Sequence, residues 1–310
     1  MARKNILVLY DPRLHLLDDI ERVRGELRAI GPELELFVRN GVAEDGALTA
    51  YLKARPTLVI SFTDFPVHPG WKSTRGGKFF SQRIDKISQL KALGEAGIPV
   101  PAWRRYSAGK AWSESEFGSH IAVKATNTRV SRGAGIGVYE TARLGSQHQD
   151  VLKMLAGLAN PEPIAQRFVN TGDNATSYRV QCFFGQPLYA FSVRKVEALF
   201  DGRGALVPEA AITSVSSVEE RSFVSEDSVL DLAARAASVF PTRPNVGVDI
   251  VRDAKTGKLF VLECNIGNVW NRARRNPVSN ARVVALGLPD MMAQFNGYRR
   301  IAERLASMAL

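Results

Sequence analysis

Cysteine is scarce in this chain. Cys182 and Cys264 are the only two, and both lie in apolar, strand-like runs, which predicts buried free thiols in a reducing compartment. The expected location is therefore cytoplasmic. No spacing of cysteine and histidine suits a zinc site. There is no Walker A sequence, and no dinucleotide fingerprint opening a helix. No apolar run approaches the roughly 18–20 residues that cross a bilayer. The opening Met-Ala-Arg-Lys-Asn-Ile-Leu-Val-Leu-Tyr is too short for a signal core plus a cleavage site, and reads as a first strand. Internal repeats and low-complexity tracts are absent. Lysine and arginine form no long block, although Arg272, Arg274 and Arg275 cluster locally.

What remains is a chain of 310 residues, 45% hydrophobic and 23% charged, enough for two or three domains with a sizeable core. The formal charge of +10 attracts anions such as nucleic acid, membrane surfaces, nucleotides or carboxylates, without choosing among them. A nucleic-acid binder would need a recognition-helix pattern or an aromatic–basic platform, and the chain has neither.

Residues 5–10 form a continuous apolar run and predict a buried strand. Residues 14–30 have helical periodicity (Leu17, Ile20, Val23, Leu27, Ile30) closed by Gly31. Strand 34–38, helix 43–54 and strand 57–62 follow. That alternation predicts a parallel, doubly wound sheet. A loop is expected over 64–78 and a helix over 82–96. Pro99 and Pro101 then forbid helix. Strands are expected at 120–125, 137–140 and 163–169, a helix at 146–158, a hairpin from 178–184 and 188–196, an amphipathic helix at 227–240, and a helical region from 289.

The runs 246–251 and 259–264 flank Asp-Ala-Lys-Thr-Gly, a turn composition, and predict a β-hairpin. Folding it sets Asp249 opposite Glu263, with Asn265 on the same face as Glu263 because strand side chains repeat every two residues. Like charges facing each other repel; a divalent cation removes that penalty, and two carboxylates with an amide oxygen suit Mg2+. The alternative is a solvated hairpin whose acids splay into water. The segment 129–138 is basic and rich in glycine, including Gly133, Gly135 and Gly137, so its amides can approach an anion. Lys124 ends the strand before it. Arg179, Arg194 and Lys195 sit on strands, where salt bridges or a bound anion would account for them.

The order of features resembles the ATP-grasp superfamily: Asp85-Lys86, Gly97-Ile98-Pro99-Val100-Pro101, Val123-Lys124 before the glycine-rich hairpin, Gln166-Arg167-Phe168-Val169, Tyr178-Arg179-Val180, Val193-Arg194, Val246-Gly247-Val248-Asp249 and Leu262-Glu263-Cys264-Asn265. The similarity is greatest to the branch containing ribosomal-protein glutamate ligase and glutathione synthetase. It implies an α/β architecture of an N-terminal doubly wound domain (1–82), a small lobe with a glycine-rich lid (83–168) and a large lobe with a metal site (169–310), the two lobes clasping ATP. It also implies residue roles. Lys86 and Lys124 would hold phosphates under the Gly133, Gly135 and Gly137 loop. Gln166, Arg167, Phe168 and Val169 would be the adenine hinge, with Asp173 toward the ribose. Asp249, Glu263 and Asn265 would bind Mg2+, for which Mn2+ can substitute. Arg194 would stabilise the phosphorylated intermediate, with Arg179 as second candidate. The cluster Arg272, Arg274 and Arg275 either clamps the substrate carboxylate or is a solvated basic face. The hinge departs from the family in having Arg167 where an acid is common. The activity implied is a carboxylate–amine ligase working through an acylphosphate on a small carboxylate and an amine acceptor (amino acid, peptide or protein tail). A phosphotransferase on the same scaffold is the main alternative, and homo-oligomers are common among similar proteins.

Overall fold

The computed structural model describes residues 4–13, 17–43, 45–126, 135–158, 162–208, 210–211, 219–267 and 277–309. Three sheets organise them. β1 (Lys4–Tyr10), β2 (Leu34–Asn40), β3 (Thr57–Ser61) and β4 (Lys78–Phe80) are parallel, in the order β2-β1-β3-β4. Strand alternation decides how β1 packs. Ile6 and Val8 meet Ile20, Val23 and Leu27 of α1 (Leu17–Ile30), while Leu7 and Leu9 meet Leu48 and Leu52 of α2 (Gly46–Lys53). Both faces are covered, and that is why the strand reads as an unbroken apolar run.

The expected loop 64–78 holds a short helix, α3 (Pro69–Lys72). His68 caps it by accepting from the Gly70 amide at 3.2 Å, and the Trp71 indole donates to the Ala43 carbonyl at 2.8 Å. The following helix, α4 (Lys86–Glu95), starts later than its periodicity suggests because Asp85 is its N-cap, accepting from the Ser88 amide at 2.9 Å.

β5 (Trp103–Arg105), β6 (His120–Ala125), β7 (Ile136–Glu140) and β8 (Pro163–Arg167) form an antiparallel sheet ordered β5-β8-β6-β7. Its outer face, Ile121, Val123 and Ala165, packs on Phe117 of α5 (Glu114–Phe117) and on Val151 and Leu155 of α6 (His148–Leu155). The largest sheet is antiparallel and ordered β11-β10-β9-β12-β13, from β9 (Asn174–Phe183), β10 (Gln186–Ala198), β11 (Glu219–Phe223), β12 (Asn245–Arg252) and β13 (Leu259–Ile266). One face carries Val180, Cys182, Val246, Val248 and Cys264 against α7 (Asp227–Ser238). Both cysteines are free and buried, and burial pushes their thiols up.

Two helices tie the sheets together. α4 sends Leu93 into the core beneath the large sheet and lays Ile87 and Leu90 on Ile164 of the small one. Gln89 on the same helix accepts the Cys264 amide at 3.1 Å. α8 (Pro277–Ala285) precedes α9 (Gly297–Met308), whose Ile301, Ala302 and Leu305 join Ile20, Val23 and Leu27 of α1 in one cluster. Tyr298 donates to Asp19 at 2.8 Å across that contact. Among the described residues no helix is long and apolar enough to cross a membrane.

Candidate active site

The large sheet's face opposite α7 is polar at its centre. Asp249 on β12 pairs in register with Glu263 on β13 and with Arg179 on β9, and Gly247 pairs with Asn265 and with Gln181. The two carboxylates are therefore neighbours, as the hairpin pattern requires. A register shift directly after Asp249 marks the position, a common device where a strand must aim a functional side chain.

Each acid already holds a cation. Glu263 Oε2 lies 2.8 Å from Lys86 Nζ, delivered by the first turn of α4. Asp249 accepts both Nε and Nη2 of Arg179, the latter at 2.7 Å. Asn265 Nδ2 donates to Asp249 Oδ2 at 2.9 Å and to Glu263 Oε1 at 3.2 Å. Burial alone would raise the Glu263 carboxyl, but Lys86, Lys124 and Arg179 outweigh it and hold it at about 2. Asp249 goes the other way: burial and the Glu263 charge push it up against the pull of Arg179.

The small sheet supplies the facing wall. Lys124 on β6 donates to Gln166 Oε1 on β8 at 2.8 Å. Gln166 is 1% exposed, and its Nε2 is buried without a partner among the described residues. An orphaned buried donor is costly and is the kind of group a bound ligand satisfies. Burial lowers the Lys124 pKa to about 8, and Lys86 adds to that, while Glu263 and Asp249 oppose it.

This pKa has two consequences of opposite sign. From about 8 to 10.5 the unfolded chain binds more protons at Lys124 than the folded one, so its contribution to stability rises with pH. Phosphate binding needs the ammonium, so nucleotide affinity is expected to fall over the same window, with proton uptake on binding. Calorimetry in two buffers of different ionisation enthalpy reads that uptake. Lys124→Ala should weaken ATP binding and remove the pH dependence; unchanged affinity would take Lys124 out of the site.

The other expected site residues are placed unevenly. Gly135 has φ +74°, and a Cβ there would come within 2.7 Å of Leu158 and 3.2 Å of Ala125, so the end of the glycine-rich hairpin admits no side chain. Gly137 lies on β7 opposite Val123. Gly133 lies outside the described residues, as do Arg272, Arg274 and Arg275. Gln166 sits inside β8, one residue before its end, and accepts from Lys124. Arg167 Nη2 reaches Asp253 Oδ2 at 3.1 Å, its guanidinium 6.0 Å from the Phe260 ring centroid. The residue that departs from the family pattern thus braces the small sheet to the turn of the β12–β13 hairpin. The Phe168 amide donates to the His120 carbonyl at 3.0 Å, Val169 packs with Val251 and Phe260, and Asp173 is exposed.

Arg194 does not join Arg179. It lies opposite Thr176 on β9, an odd number of residues from Arg179 and hence on the other face. There it bonds Glu220 at 2.9 Å and Asn174. Its neighbour Lys195, 1% exposed, occupies the face shared with Arg179. The sequence reading gave no role to Gln181 and Asn245, which underpin the site. Gln181 Nε2 donates to Asn245 Oδ1 at 2.5 Å, and Asn245 Nδ2 to the Phe62 carbonyl at 2.9 Å. The signal was present: polar residues at positions whose strand neighbours are all apolar.

The donor set fits the groups that the sequence resemblance implies. Asp249, Glu263 and the Asn265 amide are hard oxygen ligands for Mg2+, once the amide turns its Oδ1 toward the acids. Lys86, Lys124 and Arg179 suit phosphate oxygens, and the unpaired Gln166 Nε2 suits a nucleotide acceptor atom.

An antiparallel sheet carrying the acids, a second one supplying Lys124, a helix between them supplying Lys86, and a parallel-sheet unit make up the arrangement of the ATP-grasp fold. Solved structures share it. The ATP-grasp ligase PsnB, complexed with a phosphomimetic variant of its minimal precursor, Mg and ADP, superposes with a TM-score of 0.55 at 16% identity, over 99% of both chains. The D-cycloserine synthetase DcsG does so with a TM-score of 0.51 at 19% identity, over 97% of this chain and 100% of that one. By sequence, the chain is 25% identical over 280 residues to a D-alanine–D-alanine ligase of Desulforudis audaxviator (strain MP104C), covering 88% of this chain and 84% of that protein. No family model matches the chain.

Proposed function

We propose that the protein is an ATP-dependent carboxylate–amine ligase. One observation carries the reading: Asp249, Glu263 and Asn265 meet Lys86 and Arg179 at one spot on the large sheet, where a nucleotide's phosphates and its metal can exchange partners with them. The likeness to a D-alanine–D-alanine ligase and to ligases of the same fold supports it.

The γ-phosphoryl group passes to a substrate carboxylate oxygen, giving an acylphosphate and ADP. An amine then attacks the acyl carbon, phosphate leaves, and the amine loses a proton to give an amide. Mg2+, or Mn2+ in its place, would be held by Asp249, Glu263 and Asn265 and would supply positive charge against the phosphates. The chain's own contribution is positioning and charge. Lys86 and Lys124 neutralise phosphates, Asp249, Glu263 and Asn265 hold the metal, and Arg179, released from Asp249, faces the charge that develops on the transferring group. Residues 166–169 with Asp173 carry the adenosine. The lobes divide near 82 and 168, and the work takes place in the cytoplasm on a small acid and an amino acid, peptide or protein amine.

A coupled ADP-release screen over amino acids and dipeptides, with mass spectrometry of the product, tests this. Amine-dependent ADP release with an amide product is expected. ADP release without an amine, leaving a phosphorylated product, would replace the ligase with a phosphotransferase.

A further inference from the structure

Two side-chain amides set the polarity of the cleft beside the acids. The Phe62 carbonyl, just past β3, can only accept, so Asn245 turns Nδ2 to it, at 2.9 Å. Asn245 Oδ1 is then left to accept, and Gln181 meets it with Nε2, at 2.5 Å. The run of donors and acceptors leaves one orientation for the last atom: Gln181 Oε1 faces away from Asn245, as an acceptor. Gln181 is 2% exposed, and its Oε1 makes no hydrogen bond among the described residues. A buried carbonyl oxygen without a donor is costly.

That oxygen lies over Gly247. A Cβ there would stand 3.0 Å from Gln181 Oε1 and 3.6 Å from both Cδ and Nη1 of Arg179. Arg179 gives Nε and Nη2 to Asp249, so Nη1 is the part of its guanidinium above the glycine. A donor and an acceptor thus lie side by side over a residue with no side chain. Asn265, in register with Gly247, bounds this recess on the β13 side.

β12 sets the order of the ligands along the cleft. Val251, near the turn, packs with Val169, one of the residues proposed to carry the adenosine. Asp249 comes next on the same face, then Gly247, then Asn245 against the parallel-sheet unit, each step about 7 Å. A nucleotide running from Val251 to Asp249 therefore ends its phosphates toward Gly247. The groups that meet there differ in polarity. Phosphate and carboxylate oxygens present lone pairs, which Gln181 Oε1 repels. The amine alone brings N–H donors.

We propose that Gln181 Oε1 accepts a hydrogen bond from the attacking amine, whose nitrogen sits in the recess over Gly247. The nitrogen bonds the acyl carbon, the bond from that carbon to the phosphate oxygen breaks, and one amine proton leaves with the phosphate. As the lone pair is shared the nitrogen grows more positive, so its hydrogen bond to Oε1 strengthens toward the transition state. A carboxylate in this position would favour the ammonium, which has no lone pair to attack with. The neutral amide does not.

The inference rests on the ligase reading, but its test reads binding and needs no turnover. Trifluoroethylamine, whose fluorines keep its amine uncharged at neutral pH, is titrated by fluorine NMR into the full chain with ADP and Mg2+ present. Its N-dimethyl analogue, which has no N–H, is titrated in parallel. The primary amine is expected to bind about 10-fold tighter, the upper scale of one hydrogen bond to a buried neutral group. Gln181→Met keeps the length and lacks the acceptor. Gly247→Ala fills the recess without removing any group of the Gln181–Asn245–Phe62 chain, so it keeps the test valid if Gln181→Met fails to fold. Each should erase the preference and retain the affinity for Mn2+ with ADP, read by electron paramagnetic resonance. Equal binding of the two probes, no binding of either, or a preference that survives both substitutions overturns the proposal. Loss of Mn2+ affinity in a folded Gln181→Met protein also overturns it, making Gln181 a metal ligand. Absence of ADP release with every acid and amine, with the probe preference intact, sinks the ligase reading alone.

Discussion

Glu263→Gln is expected to lower ATP turnover by about 10²–10³-fold, the cost of removing one preorganised charge from such a site, and to leave the protein folded. The amide matches the carboxylate in volume, so β13 keeps its packing. What disappears is one negative ligand for Mg2+ and the 2.8 Å pair with Lys86. Both partners are 29% exposed, so solvent screens the pair and its loss should cost only about 1 kcal/mol of stability. Turnover and melting temperature, measured on the same preparation, separate the two effects. Near-normal turnover would remove Glu263 from the metal site. Turnover lost together with a collapse in melting temperature would make its role one of support.

Arg179→Gln is expected to act in a different pattern. In the nucleotide-free protein Asp249 accepts two guanidinium hydrogen bonds and Glu263 holds Lys86. Free divalent metal must therefore displace cations that the acids already own. Wild-type protein should bind Mn2+ weakly on its own and at least about 10-fold more tightly with ADP, because the nucleotide's phosphates occupy the lysine and arginine and release the acids. Arg179→Gln frees Asp249 beforehand. Its nucleotide-free Mn2+ affinity should rise, while ligation falls by about 10²–10³-fold. Leaving Asp249 without its partner should also lower stability by about 3 kcal/mol, and added Mn2+ should restore part of that loss by mass action. Electron paramagnetic resonance of Mn2+ reads the affinities without any turnover. Equal Mn2+ affinity in wild-type protein with and without ADP would defeat the exchange.

The sequence made the β12–β13 hairpin visible because two signals coincide there. The turn composition fixes where the chain reverses, and period-two alternation then fixes which residues face each other, so Asp249 and Glu263 follow directly. β1, α1 and α7 were equally plain from their apolar periods. β11 was not: Glu-Glu-Arg-Ser-Phe has the polarity of a loop, and only its neighbour β10 makes it a strand. β4 and β5 are three residues each, too short for any period to register. Arg194 and Arg179 are each an arginine on a strand, and the resemblance put Arg194 first. The ladder separates them, because an odd offset along β9 and β10 sends one to the cleft and the other to the α7 side. The expected hinge, residues 166–169, straddles the end of β8 at Arg167, whose side chain turns to Asp253, a contact that no sequence period signals.

The contact between α1 and α9 bears on how the chain acquires its shape during synthesis. Ile20, Val23 and Leu27 leave the ribosome early, yet Ile301, Ala302 and Leu305, which complete their cluster, emerge long afterwards. Until then α1 lacks the helix that completes its cluster and leaves apolar surface open, the kind of surface that chaperones hold. Stalled nascent chains lacking residues 297–308 should therefore be more easily cleaved by protease within the first 80 residues than the finished protein.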